Sequence, residues 1–391
     1  MTAPRVLFYV QHLLGIGHLK RAATLARALV DEGMAVTIVS GGKEVPGLDI
    51  GGSDFVQLAP MRSQDEHFRV MLDDRDRPVD DATRDARRDA LLEVTERVAP
   101  HLVLTELFPF GRRHLRGEII PMIEAARAQA QPAAIVSSVR DILVEPSKKE
   151  RGPEMVAMVQ RYFDLVLVHG DPALIPFERT FPLAHAIADR LRYTGYVVDP
   201  PPQDAVARGL GRDEVIVSAG GGALSEPLLS AAIAARPFTA LSNHTWRLLA
   251  GPSLPPDAYQ RLRALSGDAP GIVLERARPD FTALLANCTL SISQGGYNTV
   301  MDVLAAKVRA VIAPYAGGKE TEQTERARLL SARGALQVVW EEDLSAGRLT
   351  AAIEAAMAGP RPDAAGIDTN GAAASADILS RLAHRFSRAA G

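Results

Sequence analysis

Residues 291–330 read SISQGGYNTVMDVLAAKVRAVIAPYAGGKETEQTERARLL. A short apolar strand ending before Gln294 runs into Gly295 and Gly296, and a helix start follows at Tyr297, Asn298 and Thr299. Asp302 lies one turn in, Ala310–Ala313 is a second strand, and Glu322 with Gln323 opens a second polar helix. Two glycines let the backbone approach a ligand closely. The unbonded amides and positive dipole end of the next helix suit a diphosphate. A carboxylate one turn inside accepts from sugar hydroxyls, and the Glu-Gln pair brings acceptors and donors to another polyol. Gly-Gly-x-Asn-Thr alone fits a glycine turn capping an ordinary α/β helix as well as it fits a ligand site. With the acidic residue and the Glu-Gln pair at this spacing, the set suits a nucleotide sugar.

The same grammar extends outward through the chain. Val215–Ser218, Trp246–Ala250, Gly271–Leu274 and Leu290–Ser293 read as buried strands, with a glycine loop at Ala219–Ala223 and a helix at Leu228–Ala235. Upstream, Asp199–Gln203 (DPPPQ) reads as a stiff, extended linker. Before it, Arg5–Gln11 is a strand, Leu13–Gly17 a glycine-bearing loop, and a helix runs from His18 with Leu19, Ala22, Ala23, Ala26, Leu29 and Val30 on one face. Gly33 stops that helix and Ala35–Val39 is the next strand, a βαβ unit and hence a parallel sheet. Leu102–Thr105, Ala134–Ser137, Leu165–Val168 and Tyr193–Val198 continue it, with a helix over Glu118–Ala128. Ala364–Ala376 reads as a flexible lead-in to a terminal helix at Ala372–Ser387. The expected organisation is α/β: residues 1–199 as one doubly wound Rossmann-like domain, 200–204 as a proline linker, and 205–391 as a second such domain including the terminal helix. Ligands are expected in a cleft at the strand carboxyl ends.

Bulk numbers agree with this. A chain of 391 residues is comfortable for two domains of about 190 each, and 47% hydrophobic with 23% charged residues is ordinary for a soluble α/β protein. A net charge of −3 supplies no basic surplus for nucleic acid. One cysteine, Cys288, offers neither an intramolecular disulfide nor a zinc cluster. No apolar run approaches about 20 residues, and Met1–Pro4 leads into a strand rather than a signal peptide. The expected place is the cytoplasm, or peripheral at the inner membrane, without a transmembrane segment.

The 291–330 segment resembles the donor-binding motif of GT-B glycosyltransferases, of both the MurG type and the UDP-sugar-dependent natural-product type. In the latter the pattern is His-Cys-Gly-Trp-Asn-Ser, a Glu, and a distal acidic-Gln pair. Here it stands as Gln294, Gly295, Gly296, Tyr297, Asn298, Thr299, then Asp302, then Glu322 and Gln323. Gln294 replaces a His and lends no positive charge, so phosphate stabilisation leans on backbone amides; Asp302 replaces the ribose-facing Glu. Gly220, Gly221 and Gly222 resemble the MurG-type glycine loop near the donor phosphates, and Arg278 falls where the resemblance places main-chain contacts to the base. Strings such as FYVQHLLGIGHL, ELFPFGRR, SVRDIL and YTGYV also resemble a family of predicted bacterial glycosyltransferases.

In the first half, Gly15 and Gly17 lead to His18 at a helix start, a position from which an imidazole of near-neutral intrinsic pKa can take a proton from an acceptor hydroxyl. The resemblance implies the same, since Gly-His opening the first helix is similar to the catalytic His of UDP-sugar glycosyltransferases. It further implies a carboxylate that orients the imidazole, and Glu106, closing LVLTEL, is the candidate. The plainer reading has His18 packing the loop and Glu106 paired with Arg112 or Arg113. Arg140, Asp141 and His169 follow predicted strands and are expected on the acceptor side, as are Arg112 and Arg113; arginines there suit an anionic or amphipathic acceptor. Asp74-Arg75-Asp76 spells a metal-binding Asp-x-Asp, but it lies in a charge-dense run without a preceding strand and reads as a solvated loop.

The resulting expectation is an inverting hexosyltransferase using a UDP-sugar donor, with no cofactor and no metal. Its acceptor is open: lipid-linked, a polysaccharide end or a small molecule. The nearest rival is a UDP-sugar hydrolase of the MurG-like nonulosonic-acid type, whose Gly-x-Gly-His-x-x-Arg opening GIGHLKR resembles. A 2-epimerase on the same fold is a weaker third option, and a non-catalytic nucleotide-sugar-binding protein is an alternative of a different class.

Overall fold

The computed structural model describes residues 3–13, 16–64, 70–143, 150–201, 203–219, 225–251, 254–267, 269–317, 322–359 and 366–389. The chain forms two units: Met1–Val197 with Asn370–Gly391, and Val198–Thr369. Gly15 and the glycine triplet Gly220–Gly222 lie outside the described residues.

The first unit comprises β1 (Arg5–Val10), α1 (Gly17–Asp31), β2 (Ala35–Ser40), β3 (Asp54–Gln57), the short strands β4 (Arg62–Ser63) and β5 (Met71–Leu72), α2 (Asp81–Val98) and β6 (Leu102–Glu106). It continues with α3 (Arg116–Arg127), β7 (Ala134–Arg140), α4 (Arg151–Tyr162), β8 (Leu165–His169) and β9 (Leu191–Tyr193). Seven strands form a parallel sheet in the order β3-β2-β1-β6-β7-β8-β9. Its strands are continuous apolar runs because both faces are covered. The period of two sorts them into two cores. Leu7, Tyr9, Val103, Ile135, Val166 and Val168 belong to one; Val6, Phe8, Val10, Leu102, Leu104, Val136 and Leu167 belong to the other, with Leu19, Ala22 and Leu29 of α1. Each fully buried aliphatic side chain contributes about 1.5–3 kcal/mol.

The second unit comprises α5 (Gln203–Ala207), β10 (Glu214–Ser218), α6 (Ser225–Ala235), β11 (Thr245–Ala250), α7 (Pro256–Ser266), β12 (Ile272–Arg276) and α8 (Phe281–Asn287). Then come β13 (Leu290–Gln294), α9 (Tyr297–Ala306), β14 (Ala310–Ala313), α10 (Glu322–Ala332), β15 (Gln337–Val338) and α11 (Ala346–Ala358). Its six parallel strands are ordered β12-β11-β10-β13-β14-β15. Both sheets reverse direction beside their first strand, between β1 and β6 and between β10 and β13. In such folds the crevice at that reversal is where ligands bind.

Four expectations need revision. The last strand of the first sheet is Leu191–Tyr193 rather than Tyr193–Val198, because Thr194 and Gly195 (φ 81°) turn the chain, their amides bonding to Val168 and Gly170. The DPPPQ segment does not stay extended to its end, since α5 begins at Gln203. The alanine-rich tail is helical from Gly371, where α12 (Gly371–Ala389) starts, in keeping with the high helix propensity of alanine. That helix belongs to the first unit, not the second: Ala376, Leu379 and Ala383 join the core formed by α1 and β1.

Its entry is tightly built. Val197 and Asn370 form an antiparallel bridge, and the Gly371 amide donates to the Tyr196 carbonyl at 3.0 Å. A Cβ at Gly371 would lie 2.4 Å from the Gly195 carbonyl oxygen and 2.6 Å from the Tyr196 carbonyl carbon, both backbone. Gly371→Ala is therefore expected to cost about 1–3 kcal/mol, read as a lower urea midpoint at unchanged slope.

Candidate active site

At the reversal of the first sheet, β1 leads into the loop before α1 while its neighbour β6 ends in Glu106. The loop is anchored from outside. Gln11 Nε2 donates to the Met61 carbonyl at 2.8 Å, Arg112 Nε donates to the Gln11 carbonyl at 3.0 Å, and the His12 ring lies where a Cβ on Gly42 would be. The buried Arg87, paired with Glu118 at 2.8 Å, also donates from Nη2 to Gln11 Oε1 at 2.9 Å. The loop thus delivers Gly17 and His18 to the first turn of α1, which no side chain caps.

His18 Nδ1 is 2.9 Å from Glu106 Oε1. The Arg21 guanidinium, one turn along α1, bonds to the same oxygen and lies 3.4 Å from His18 Nδ1. Ser138 Oγ donates to Glu106 Oε2 at 2.8 Å, and His169 Nε2 is 2.9 Å from Ser138 Oγ. The Glu106 carboxylate is 0% exposed and the His18 side chain 15%. Burial works to raise the Glu106 carboxyl, but the Arg21 charge, the His18 hydrogen bond and the neighbouring histidines together hold it at about 2. The carboxylate is therefore ionised and only accepts. His18 must then donate from Nδ1, which leaves its lone pair on Nε2, an atom that no described residue hydrogen-bonds. Burial, with the charges of Arg112 and Arg140, lowers His18 to about 3 against the pull of Glu106. At neutral pH the imidazole is uncharged and can accept a proton.

Arg112 sits in the left-handed region (φ 59°), lowered to about 10 by burial and by the nearby Arg140 and Arg21 charges, against Glu106. Arg113 is elsewhere: its side chain is 57% exposed and lies 3.4 Å from Glu154. Glu106 therefore pairs with Arg21 and His18, not with Arg112 or Arg113. Asp141 and His169, expected to face an acceptor, are both 0% exposed. Asp141 accepts from Tyr196 Oη at 2.7 Å and from the Ile142 amide at 2.9 Å, and His169 lies behind Ser138. The strand-end rule found their positions but not the direction of their side chains. Arg140 is half-buried at the end of β7.

In the second unit, β13 ends at Gln294 and α9 starts at Tyr297 with no capping side chain. The amides of Tyr297, Asn298 and Thr299 form its first turn, and Asp302 lies in its second. Gly295 is packed against the next strand-to-helix turn, so that a Cβ there would meet Pro314 Cα at 3.1 Å and Gln323 Oε1 at 3.3 Å. That same Gln323 oxygen accepts from the Tyr315 amide at 3.2 Å. Glu322 is turned inward: its Oε1 accepts from Arg326 Nη1 at 3.0 Å, and the Arg326 guanidinium, 0% exposed, stacks 4.8 Å from the centre of the Tyr297 ring. Arg326 therefore ties the starts of α9 and α10 together, a role the sequence pattern did not single out. Arg278 bonds Asp280 through Nε at 2.8 Å and Nη2 at 2.7 Å, which occupies its side chain. Asp76 of the Asp-x-Asp string accepts from Arg62 in an exposed turn. Among the described residues no cluster of three or more His, Cys, Asp or Glu side chains is placed to hold a metal ion, and no helix is long and apolar enough to cross a membrane.

Residues 215–382 match the family model of the glycosyltransferase family 28 C-terminal domain. No protein of curated function matches the chain by sequence. The fold is that of solved GT-B glycosyltransferases. UGT2 of Phytolacca americana, complexed with UDP-2-fluoro-glucose and pterostilbene, is 14% identical over 98% of this chain and 100% of its own, with a TM-score of 0.65. The calicheamicin glycosyltransferase is 17% identical over 98% and 99%, with a TM-score of 0.62. MurG of Acinetobacter baumannii is 15% identical over 98% and 99%, with a TM-score of 0.55. At these identities the likeness is one of fold.

Proposed function

We propose that this chain, whose residues 215–382 match the glycosyltransferase family 28 C-terminal domain, is a GT-B glycosyltransferase that transfers a hexose-type sugar from a UDP-sugar to an acceptor hydroxyl with inversion. The observation that carries the proposal is the His18 Nδ1–Glu106 Oε1 contact of 2.9 Å at the sheet reversal. His18 Nε2 takes the proton of the acceptor hydroxyl as its oxygen forms a bond to the anomeric carbon. The bond from that carbon to the β-phosphate oxygen breaks on the opposite face, and UDP leaves with the electron pair. Glu106 holds the imidazole and stabilises the imidazolium that results. In this reading the amides that open α9, which no side chain caps, receive the diphosphate, and no cation is called on. Gly295 and Gly296 let the diphosphate approach, Asp302 serves the ribose, and Gln323 the sugar. Glu322, held by Arg326, acts in this reading by fixing α10 rather than as a lone sugar acceptor. The UDP-sugar analogue bound to the Phytolacca enzyme supports uridine as the base. A cytoplasmic setting, peripheral at the inner membrane where the acceptor is lipid-linked, belongs to the same proposal.

One observation favours hydrolysis as a second reading: Arg21 of the GIGHLKR run sits directly on the His18–Glu106 pair. Incubation with UDP-sugars and no acceptor separates the two. Slow or absent donor consumption, followed by glycoside formation on adding cell extract, supports the transferase. Rapid release of free sugar would replace it with the hydrolase, and failure of UDP to bind in calorimetry would end both.

A further inference from the structure

We propose that Ser138 and His169 are positioning residues: as a one-way chain of hydrogen-bond donors they hold the Glu106 carboxylate turned so that Oε1 stays on His18. The inference rests on the reading of His18 as base and deepens it. Glu106 closes β6, Ser138 is its register partner on β7, and His169 closes β8 beside Arg140. Ser138 and His169 are 0% exposed and Thr194 is 2%.

The direction of the chain follows from what each group can give. An ionised carboxylate only accepts, so the Ser138 hydroxyl proton goes to Oε2 at 2.8 Å. With that proton committed, Ser138 Oγ must accept, and His169 Nε2, 2.9 Å away, carries the hydrogen. The lone pair left on His169 Nδ1 faces Thr194 Oγ1 at 2.9 Å, a hydroxyl that also reaches the Gly195 carbonyl at 2.8 Å. This assignment requires a neutral His169, and burial, aided by the Arg21 charge and opposed by Glu106, lowers that imidazole to about 3.

The chain matters because His18 has a competitor. Arg21 bonds the same Oε1, and a guanidinium favours two parallel bonds to both oxygens of a carboxylate. Ser138 keeps Oε2 away from that arrangement. Without it the carboxylate turns to present both oxygens to Arg21, and His18 Nδ1 loses the acceptor that sets its tautomer.

The test follows the His18 Nδ1–H proton by NMR in nitrogen-15-labelled protein, the resonance being assigned by its loss in H18A. S138A is compared with H169N and H169Q. Glutamine places an N–H donor near the Nε2 position, whereas asparagine reaches only the Nδ1 position. S138A and H169N are expected to lose the hydrogen-bonded resonance and to lower kcat by about 10- to 100-fold, the range seen for groups that orient metal ligands, with donor KM little changed. H169Q is expected to restore the resonance and at least about tenfold of the kcat lost in H169N. Retention of resonance and kcat in S138A, or equal loss in H169Q and H169N, overturns the proposal. Where S138A does not fold, the glutamine–asparagine comparison decides alone. Loss of the resonance with unchanged kcat supports the chain and removes His18 as the base, so the two failures are distinct.

Discussion

H18A is expected to lower kcat by about 10²- to 10³-fold while UDP binding, measured by calorimetry, stays within about twofold of the wild type. General-base assistance is worth about 10²–10⁴-fold, least where the base is far weaker than the operating pH asks. His18 is such a case, held at about 3 by burial and by Arg112 and Arg140. The same position fixes the pH profile. Only the neutral imidazole can accept a proton, and it is neutral everywhere above about pH 3, so kcat/KM should show no acid limb from His18 between pH 5 and 8. An apparent pKa near 6.5 that disappears in H18A would contradict the assignment of its environment. Stability behaves differently. The unfolded chain takes up a proton on His18 below about 6.5 and the folded chain does not. Folding stability therefore rises with pH between about 3 and 6.5, and is lost on acidification through that window. H18A should flatten the slope, visible as a smaller fall in Tm from pH 7 to pH 5.

E106Q is expected to be the more damaging change, lowering both activity and stability. The amide cannot balance Arg21, whose side chain is 3% exposed, and breaking a buried pair by removing one partner costs about 3–5 kcal/mol. The amide also keeps one acceptor oxygen where His18 and Ser138 each need one, and with the N–H₂ facing Nδ1 the imidazole loses the bond that fixes its tautomer; in a serine-protease triad that loss is worth about 10⁴ in kcat. The expected result is a fall of about 10²–10⁴-fold in kcat, together with an unfolding midpoint well below the wild type. A midpoint unchanged within error would mean that Arg21 finds another counter-charge. The carboxyl's low position adds its own pH signature. Its contribution to stability is present above about 4.5, the unfolded value, and is lost as pH falls towards about 2.

Much of this is legible in the amino-acid sequence. Continuous apolar runs separated by helical periods specify parallel strands with both faces covered, and His18 and Gly295–Thr299 follow strands that flank the reversals beside β1 and β10. His18 is readable as opening the first helix and Glu106 as closing a strand, while their pairing comes from the family resemblance and the β1–β6 adjacency from the structure. What escaped is what side-chain direction decides. Arg21 was visible in the run GIGHLKR, yet only the α1 turn shows it sharing Oε1 with His18. Ser138 carries no motif, and His169 and Asp141 look surface-facing until β7 and β8 are seen to turn them inward. Glu322 has the spacing of a sugar ligand, but Arg326 four residues later on the same helix claims one oxygen. Short edge strands such as Asp54–Gln57 and Gln337–Val338 are too brief and too polar to give a periodic signal.

The return of α12 to the first unit has a consequence for biosynthesis. A ribosome releases the chain from its amino end, so all of Val198–Thr369 emerges as one contiguous stretch before Ala376, Leu379 and Ala383 do. The later-encoded body can finish its core first, while the earlier one waits with the α1 face uncovered. Chains truncated before residue 370 and released should therefore be protease-resistant in the second body and cleavable near α1.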